Sequence, residues 1–144
     1  MRLKLDIDDM ANDFFADTRL LGVVTSVKDY QFCWKLNHLL RFDFRLNSDI
    51  EIQLTRKNRK YYFSVYEYHE PHNSLTHYMY NNYFDGEYLL PEFKHLDFLW
   101  LLKGDIVADD YVKELQETIK LLGGVQMVTE LAGDKIKNKS HLIF

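Results

Sequence analysis

The sequence predicts an α+β fold, a mainly antiparallel sheet with two principal helices, from three observations. Short β-branched or alternating apolar runs outnumber helical ones. Two longer segments carry an apolar stripe of helical period. The elements follow the order strand, helix, several strands, helix, strand. The chain has 144 residues, 47% hydrophobic and 28% charged, enough to bury a core. No repeat or Gly/Ser/Pro linker divides it, so residues 1–144 are expected to form one domain.

Taken in order, Thr18 to Ser26 (TRLLGVVTS) reads as a buried strand. Ser26 and Asp29 have the spacing of a capping box and start a helix that runs to about Phe42. On its wheel Tyr30, Phe32, Cys33, Trp34, Leu36, Leu39 and Leu40 span a wide arc, which predicts deep packing. Ile50, Ile52 and Leu54 then alternate with polar residues, and Tyr61, Phe63 and Val65 alternate with Tyr62, Ser64 and Tyr66. Together they predict a hairpin turning at Asn58, a residue that tolerates positive φ. His69 to Ser74 breaks the pattern, and Leu75 to Tyr83 returns as a strand ending at the Asp85-Gly86 turn. Leu96 to Gly104 is apolar on both faces, as a central strand must be. Asp109 or Asp110 caps a helix with the stripe Val112, Leu115, Ile119 and Leu122, Gly123-Gly124 ends it, and Val125 to Leu131 closes the fold as a strand. This order resembles a ferredoxin-like split βαβ core with an extended hairpin.

Composition narrows the function classes. The net charge is -4, so no global positive field draws the chain to phosphate backbones, and nucleic-acid binding is disfavoured. Cys33, the single cysteine, excludes an internal disulfide and a cysteine-cluster metal site. MRLKLDIDDMANDFF lacks the apolar run and cleavage site of an export signal, and no window is long and apolar enough to span a membrane. A cytoplasmic protein is expected. Aromatic residues are abundant at 15%, with ten Tyr and ten Phe, and concentrate between Tyr61 and Trp100.

Four groups of residues bear on chemistry. Arg56, Lys57, Arg59 and Lys60 flank Tyr61, Tyr62, Phe63, Tyr66 and Tyr68, the ingredients of an RNA-stacking sheet. Lys60, Tyr62 and Ser64 break the pattern such sheets require, and an exposed hairpin turn accounts for the charges. His69, His72 and His77 with Glu70 are ligand types for zinc, but Pro71 prevents the helical spacing, and no metal or other cofactor is assigned. Cys33 lies inside the helix on the apolar arc and reads as a small buried hydrophobe. Glu92 and Asp97 are a carboxylate pair of the kind that divides acid and base roles. Pro91-Glu92 also suits the first turn of a short helix, and Asp97 enters an apolar strand where a carboxylate needs partners.

The run LPEFKHLDF, Leu90 to Phe98, resembles the defining motif of the IPExxxVDY family of small bacterial proteins, with Leu, Leu and Phe at the Ile, Val and Tyr positions. KDYQFCWKLN, Lys28 to Asn37, resembles that family's helical segment. The resemblance implies a cytoplasmic protein of Bacteroidetes-type bacteria and singles out Pro91, Glu92 and Asp97. It brings no activity, cofactor or partner with it.

No complete catalytic arrangement can be assembled from these residues. The leading expectation is a non-catalytic protein-interaction module, self-associating or binding a protein partner through an aromatic surface of Tyr62, Tyr66 and Tyr68. A small-ligand-binding or regulatory domain, with Glu92 or Asp97 supplying polar contacts, comes second. An enzyme using Glu92 and Asp97 is third, and an RNA-binding protein fourth.

Overall fold

Apolar residues on both faces of a strand demand a layer on each side, and the structure supplies two. The computed structural model describes residues 9–144. Residues 1–8, which carry part of the stretch read for an export signal, lie outside them. A helical turn, α1 (residues 9–14), leads into β1 (Arg19–Thr25), α2 (Asp29–Leu39), β2 (Arg45–Leu46), β3 (Ile52–Arg56), β4 (Arg59–Phe63) and β5 (Val65–His69). The chain continues through β6 (Thr76–Asn81), β7 (Tyr83–Phe84), β8 (Glu87–Tyr88), β9 (Phe98–Lys103), α3 (Asp109–Lys120) and β10 (Val125–Leu131). Six strands form one antiparallel sheet in the order β10-β1-β9-β6-β5-β2, and β3-β4 and β7-β8 are separate two-stranded ribbons. The path β1-α2-β6-β9-α3-β10 with sheet order β10-β1-β9-β6 is the ferredoxin-like split βαβ arrangement. Strands β5 and β2 widen it at one side.

One face of this sheet meets the helices. Leu21, Val23, Met79, Phe98, Trp100 and Leu102 pack against Phe32, Cys33 and Leu36 of α2 and Val112, Leu115 and Ile119 of α3. Each fully buried side chain of this size stabilises by about 1.5–3 kcal/mol before ordering costs. The other face is covered too. Leu20, Tyr80, Leu99 and Leu101 lie under the β3-β4 hairpin, the 89–96 segment and the C-terminal residues Ile136 and Leu142. In the hairpin Ile52, Leu54, Tyr61 and Phe63 are buried while Gln53, Lys60 and Tyr62 are exposed, the alternation expected of a one-faced ribbon. Its two-residue turn places Lys57 and Asn58 at φ 51° and 63°, as the Asn58 reading requires. A Cβ at Gly22 in β1 would lie 2.4 Å from Leu96 Cδ1, so any larger residue there requires the buried Leu96 side chain to shift.

Several local expectations are corrected. Helix α2 has Lys28 at its N-cap with no side-chain cap, and Ser26 forms no box with Asp29. Thr25 Oγ1 instead accepts the Val27 N–H at 3.1 Å and donates to the Gly124 carbonyl at 2.7 Å, tying the β1-α2 corner to the α3-β10 turn. The helix stops at Leu39 rather than Phe42. Arg41 adopts φ 61°, and the Asn37 side chain accepts the Phe44 N–H at 2.8 Å and donates to the Phe44 carbonyl at 3.0 Å, folding the chain back. Ala108, not an aspartate, is the N-cap of α3; Asp109 pairs with Arg19 at 2.7 Å instead. The expected long strand through Tyr66 is divided, since pairing with β3 ends at Phe63 and Val65 begins a strand of the main sheet.

Candidate functional site

The residues that stand out in the sequence are spread over several places in the fold. Pro91 opens a single 3-10 turn, Pro91–Phe93, and Glu92 follows in its first turn. The Glu92 carboxylate reaches the C-terminal segment, accepting the Lys137 N–H at 2.7 Å, the Asn138 N–H at 2.8 Å and the Asn138 Nδ2 at 2.8 Å. Burial alone would raise its pKa, but these bonds hold it below the usual glutamate value. Asp97 turns elsewhere. Its N–H donates to the Val23 carbonyl at 2.8 Å and its Oδ2 accepts the Thr25 N–H at 2.9 Å, satisfying the end of β1 where the chain turns into α2. The two carboxylates therefore bind different segments and do not form an acid–base pair.

Asn82 organises this motif and was not singled out by its sequence context. Its fully buried side chain accepts the Leu90 N–H at 2.8 Å and donates to the Phe93 and Leu96 carbonyls, both at 2.9 Å. A polar side chain this deep is stable because its bonds are made within the protein.

The three tyrosines do not share a surface. Tyr62 is 47% exposed on the outer side of the hairpin. Tyr66 and Tyr68 lie half-buried in the main sheet, on the face that meets the helices. The Tyr66 hydroxyl donates to Asp29 Oδ2 at 2.7 Å, and the Tyr68 ring stacks on Phe42 at 5.4 Å between centroids. Because the hairpin covers the sheet face opposite the helices, bases cannot stack there in the manner of an open RNA-binding sheet.

Polar groups converge at the end of β1. Thr25, Lys28, Asp29, Asn81, Tyr83 and Asp97 line a groove of about 350 Å³. Asp29, which burial alone would push up, is held below its usual pKa by bonds from Asn81, Tyr66 and the first backbone N–H groups of α2. A carboxylate so held favours cations or hydrogen-bond donors and is a poor general acid at neutral pH. The Asn81 Oδ1 atom is buried with no partner among the described residues.

The histidines separate. His77 is fully buried, while His69 and His72 are exposed, and among the described residues no group of three or more His, Cys, Asp or Glu is placed to hold a metal ion. Trp100 Nε1–H donates to His77 Nδ1 at 2.9 Å. An indole N–H is a donor alone, so Nδ1 must be the acceptor and the ring proton sits on Nε2, which donates to Glu70 Oε2 at 2.7 Å. Burial lowers the His77 pKa despite Glu70, so the contact is a hydrogen bond from a neutral ring to a carboxylate. The Tyr111 hydroxyl also donates to Glu70. Phe42, Phe44 and Tyr68 pack around this chain of partners as an aromatic wall.

The outer face of α2 carries what the helical wheel assigned to the core. Tyr30 is 61% and Trp34 56% exposed, and with Val27, Gln31 and Lys35 they line an open groove of about 560 Å³. Phe32, Cys33 and Leu36 are the buried residues of α2 and Leu40 packs partly buried against the same core, leaving Tyr30, Trp34 and Leu39 of the apolar arc outside. Cys33 is buried, and burial followed by the Asp29 charge pushes its thiol up to about 12, so it is an inert thiol at neutral pH. The fold and these sites define an α+β domain of split βαβ type with an inserted hairpin. No family model, curated protein or solved structure matches the chain.

Proposed function

We propose that this chain is a non-catalytic protein-interaction module, a cytoplasmic member of the bacterial family that LPEFKHLDF resembles. It docks an apolar, acid-flanked segment of a partner protein on the outer face of α2. The observation that carries this reading is the exposure of Tyr30 and Trp34 one turn apart, in a groove edged by Lys35. Tyr and Trp are the side chains that most often dominate binding energy, because they bury much area at little entropic cost. The charge at the groove supports the occupant's chemistry. Lys35 edges the aromatics and Lys28 stands at the N-cap of the same helix, while Asp29, the one acidic residue of α2, is turned inward to Tyr66 and Asn81. A cationic face on a chain of net charge -4 favours acidic neighbours. On this reading Glu92 and Asp97 serve the fold, and the motif's significance is architectural.

Partners recovered by affinity capture are to be purified and titrated directly. A hot-spot side chain contributes about 2 kcal/mol or more, so Trp34→Ala is expected to raise Kd about thirtyfold. Lys28→Glu with Lys35→Glu is expected to weaken binding most at low salt. A directly binding partner indifferent to both changes refutes the reading, as does the absence of direct binding by any purified candidate.

A second reading, a small-ligand domain, rests on the polar groove at the end of β1 and on the unpartnered Asn81 Oδ1. A metabolite that raises the melting temperature of the native chain but not of Asp29→Asn would favour it over docking on α2.

A further inference from the structure

Among the described residues, the main sheet ends on one side in a long strand with little to blunt it from Met127 onward. Strand β10 is the outermost strand beyond β1, and its pairing with β1 is regular from Met127 to Leu131, with an irregularity between Val24 and Thr25. The direction of its main-chain groups follows from its neighbour. The Val23 carbonyl accepts the Asp97 N–H on the β9 side, so Val23 bonds away from β10, and its partner Val128 must bond away from β1. By alternation the N–H and C=O of Val128 and Glu130 point off the edge of the sheet. Gln116 Nε2 reaches the Val128 carbonyl at 3.3 Å, a long contact that a main-chain donor would replace. Edge strands are ordinarily blunted by proline, lysine, a bulge or very short length. The opposite edge, β2, has two residues, whereas β10 has seven, with neither proline nor lysine among them.

We propose that β10 pairs antiparallel with β10 of a second copy of this chain, about a two-fold axis at Thr129, joining two main sheets into one. This register uses every residue from Met127 to Leu131. It sets Val128 opposite Glu130 of the second copy, the residues whose main-chain groups point outward, so each such pair exchanges both hydrogen bonds. On one face Met127 meets Leu131 twice, around a central Thr129 pair. Met127 is 38% exposed, and Leu131 lies half-buried beside Phe15 and Leu20. Apolar and Thr–Thr cross-strand pairs are favourable. No like charges face each other: Glu130 opposes Val128, and its carboxylate is held by Arg19 through Nε and Nη2, both at 2.7 Å. That self-complementarity selects a second copy over a foreign strand. The proposal is independent of the α2 surface.

Sedimentation equilibrium of the full chain over a range of concentrations tests it. The native chain is expected to show a reversible monomer–dimer equilibrium. Thr129→Lys and Thr129→Glu each place like charges across the axis and are expected to weaken the dimer at least about tenfold. Mixing the two variants is expected to restore it. Trp34→Ala is expected to leave the dimer unchanged, which separates this result from the fate of the docking surface. Should either Thr129 variant lose its native circular dichroism, Met127→Lys, which sets a charge against Leu131 from a partly exposed position, takes its place. A native chain that stays monomeric throughout overturns the proposal, and so does a dimer that survives the charged variants.

Discussion

Replacing Glu92 tests whether the LPEFKHLDF motif works by holding the fold. Its carboxylate accepts two backbone N–H groups and one amide from residues 137 and 138. The segment it grips is part of the second core, for Ile136 and Leu142 are buried there, and the Tyr80 hydroxyl donates to the Leu142 carbonyl at 2.8 Å. A hydrogen bond to a charged group contributes about 1.5–3 kcal/mol net. The Lys137 bond is exposed and the Asn138 bonds are part-buried, so water recovers much of each loss. Glu92→Ala is therefore expected to cost about 2–3 kcal/mol in all, which lowers Tm by roughly 6–10 °C in a domain of this size. Glu92→Gln keeps one acceptor and is expected to lose about half as much. The pH dependence has a definite sign. The folded pKa lies below the ordinary 4.5, so the contribution is present above 4.5 and is lost as pH falls through the folded value. Glu92→Gln should flatten that part of the acid profile. Urea melts give the energies, and amide exchange at Lys137 and Asn138 locates them. Native stability in Glu92→Ala with unchanged exchange at those two amides would refute the assignment.

Three further outcomes are expected. His77 titrates below 6.5 in the fold because burial, partly offset by Glu70, favours its neutral form. Stability attributable to it is therefore full above 6.5 and declines as pH falls below, by at most about 1.4 kcal/mol per pH unit, and a urea midpoint that stays flat from neutral pH to 5 speaks against a ring held neutral by burial. Gly22→Ala brings a Cβ within 2.4 Å of Leu96 Cδ1 and is expected to cost about 1–3 kcal/mol by overpacking; combining it with Leu96→Ala should cost less than the two singles summed, and strict additivity in denaturant melts would contradict the contact. Trp34→Ala is expected to change unfolding free energy by less than about 0.5 kcal/mol, since the ring is largely exposed, and a larger loss would move Trp34 from the binding surface to the core.

Alternation and turn chemistry made much of the fold legible, and the misreadings share a cause. Periodicity reports which side of an element a residue is on, but not which layer that element occupies. Tyr61, Phe63 and Val65 keep one parity through Ser64, and all three are buried in the core between hairpin and sheet. The opposite parity then points away from whichever layer the chain is in. For Tyr62 that direction is solvent, while for Tyr66 and Tyr68 it is the helical layer. The same limit applies to α2, where the wheel counts apolar residues without saying how much width the sheet accepts. Contact with the sheet takes Phe32, Cys33 and Leu36 and leaves Tyr30 and Trp34 outside. Asn82 finds its partners 8 to 14 residues on, in an irregular turn, and His77 takes one of its partners from a neighbouring strand, so no periodic pattern announces either.

The covered second face decides where recognition can occur. With helices packed on one side, a split βαβ sheet leaves its other side open unless additional chain closes it. Here the β3-β4 hairpin closes part of that side with Ile52, Leu54, Tyr61 and Phe63, and the C-terminal segment closes more of it through Ile136 and Leu142. Glu92 fixes the C-terminal cover, and Asn82 fixes the turn that presents Glu92. The motif thereby removes the surface on which a sheet of this kind would stack bases. Tyr30 and Trp34 on α2 and Met127 on β10 are among the large apolar side chains that stay exposed. Lys35 Nζ bonds the Gly123 carbonyl at 2.9 Å, just before β10 begins, so the helix surface and the start of the edge strand adjoin. A partner seated on α2 and a second copy paired along β10 can therefore occupy neighbouring ground without competing for the same groups.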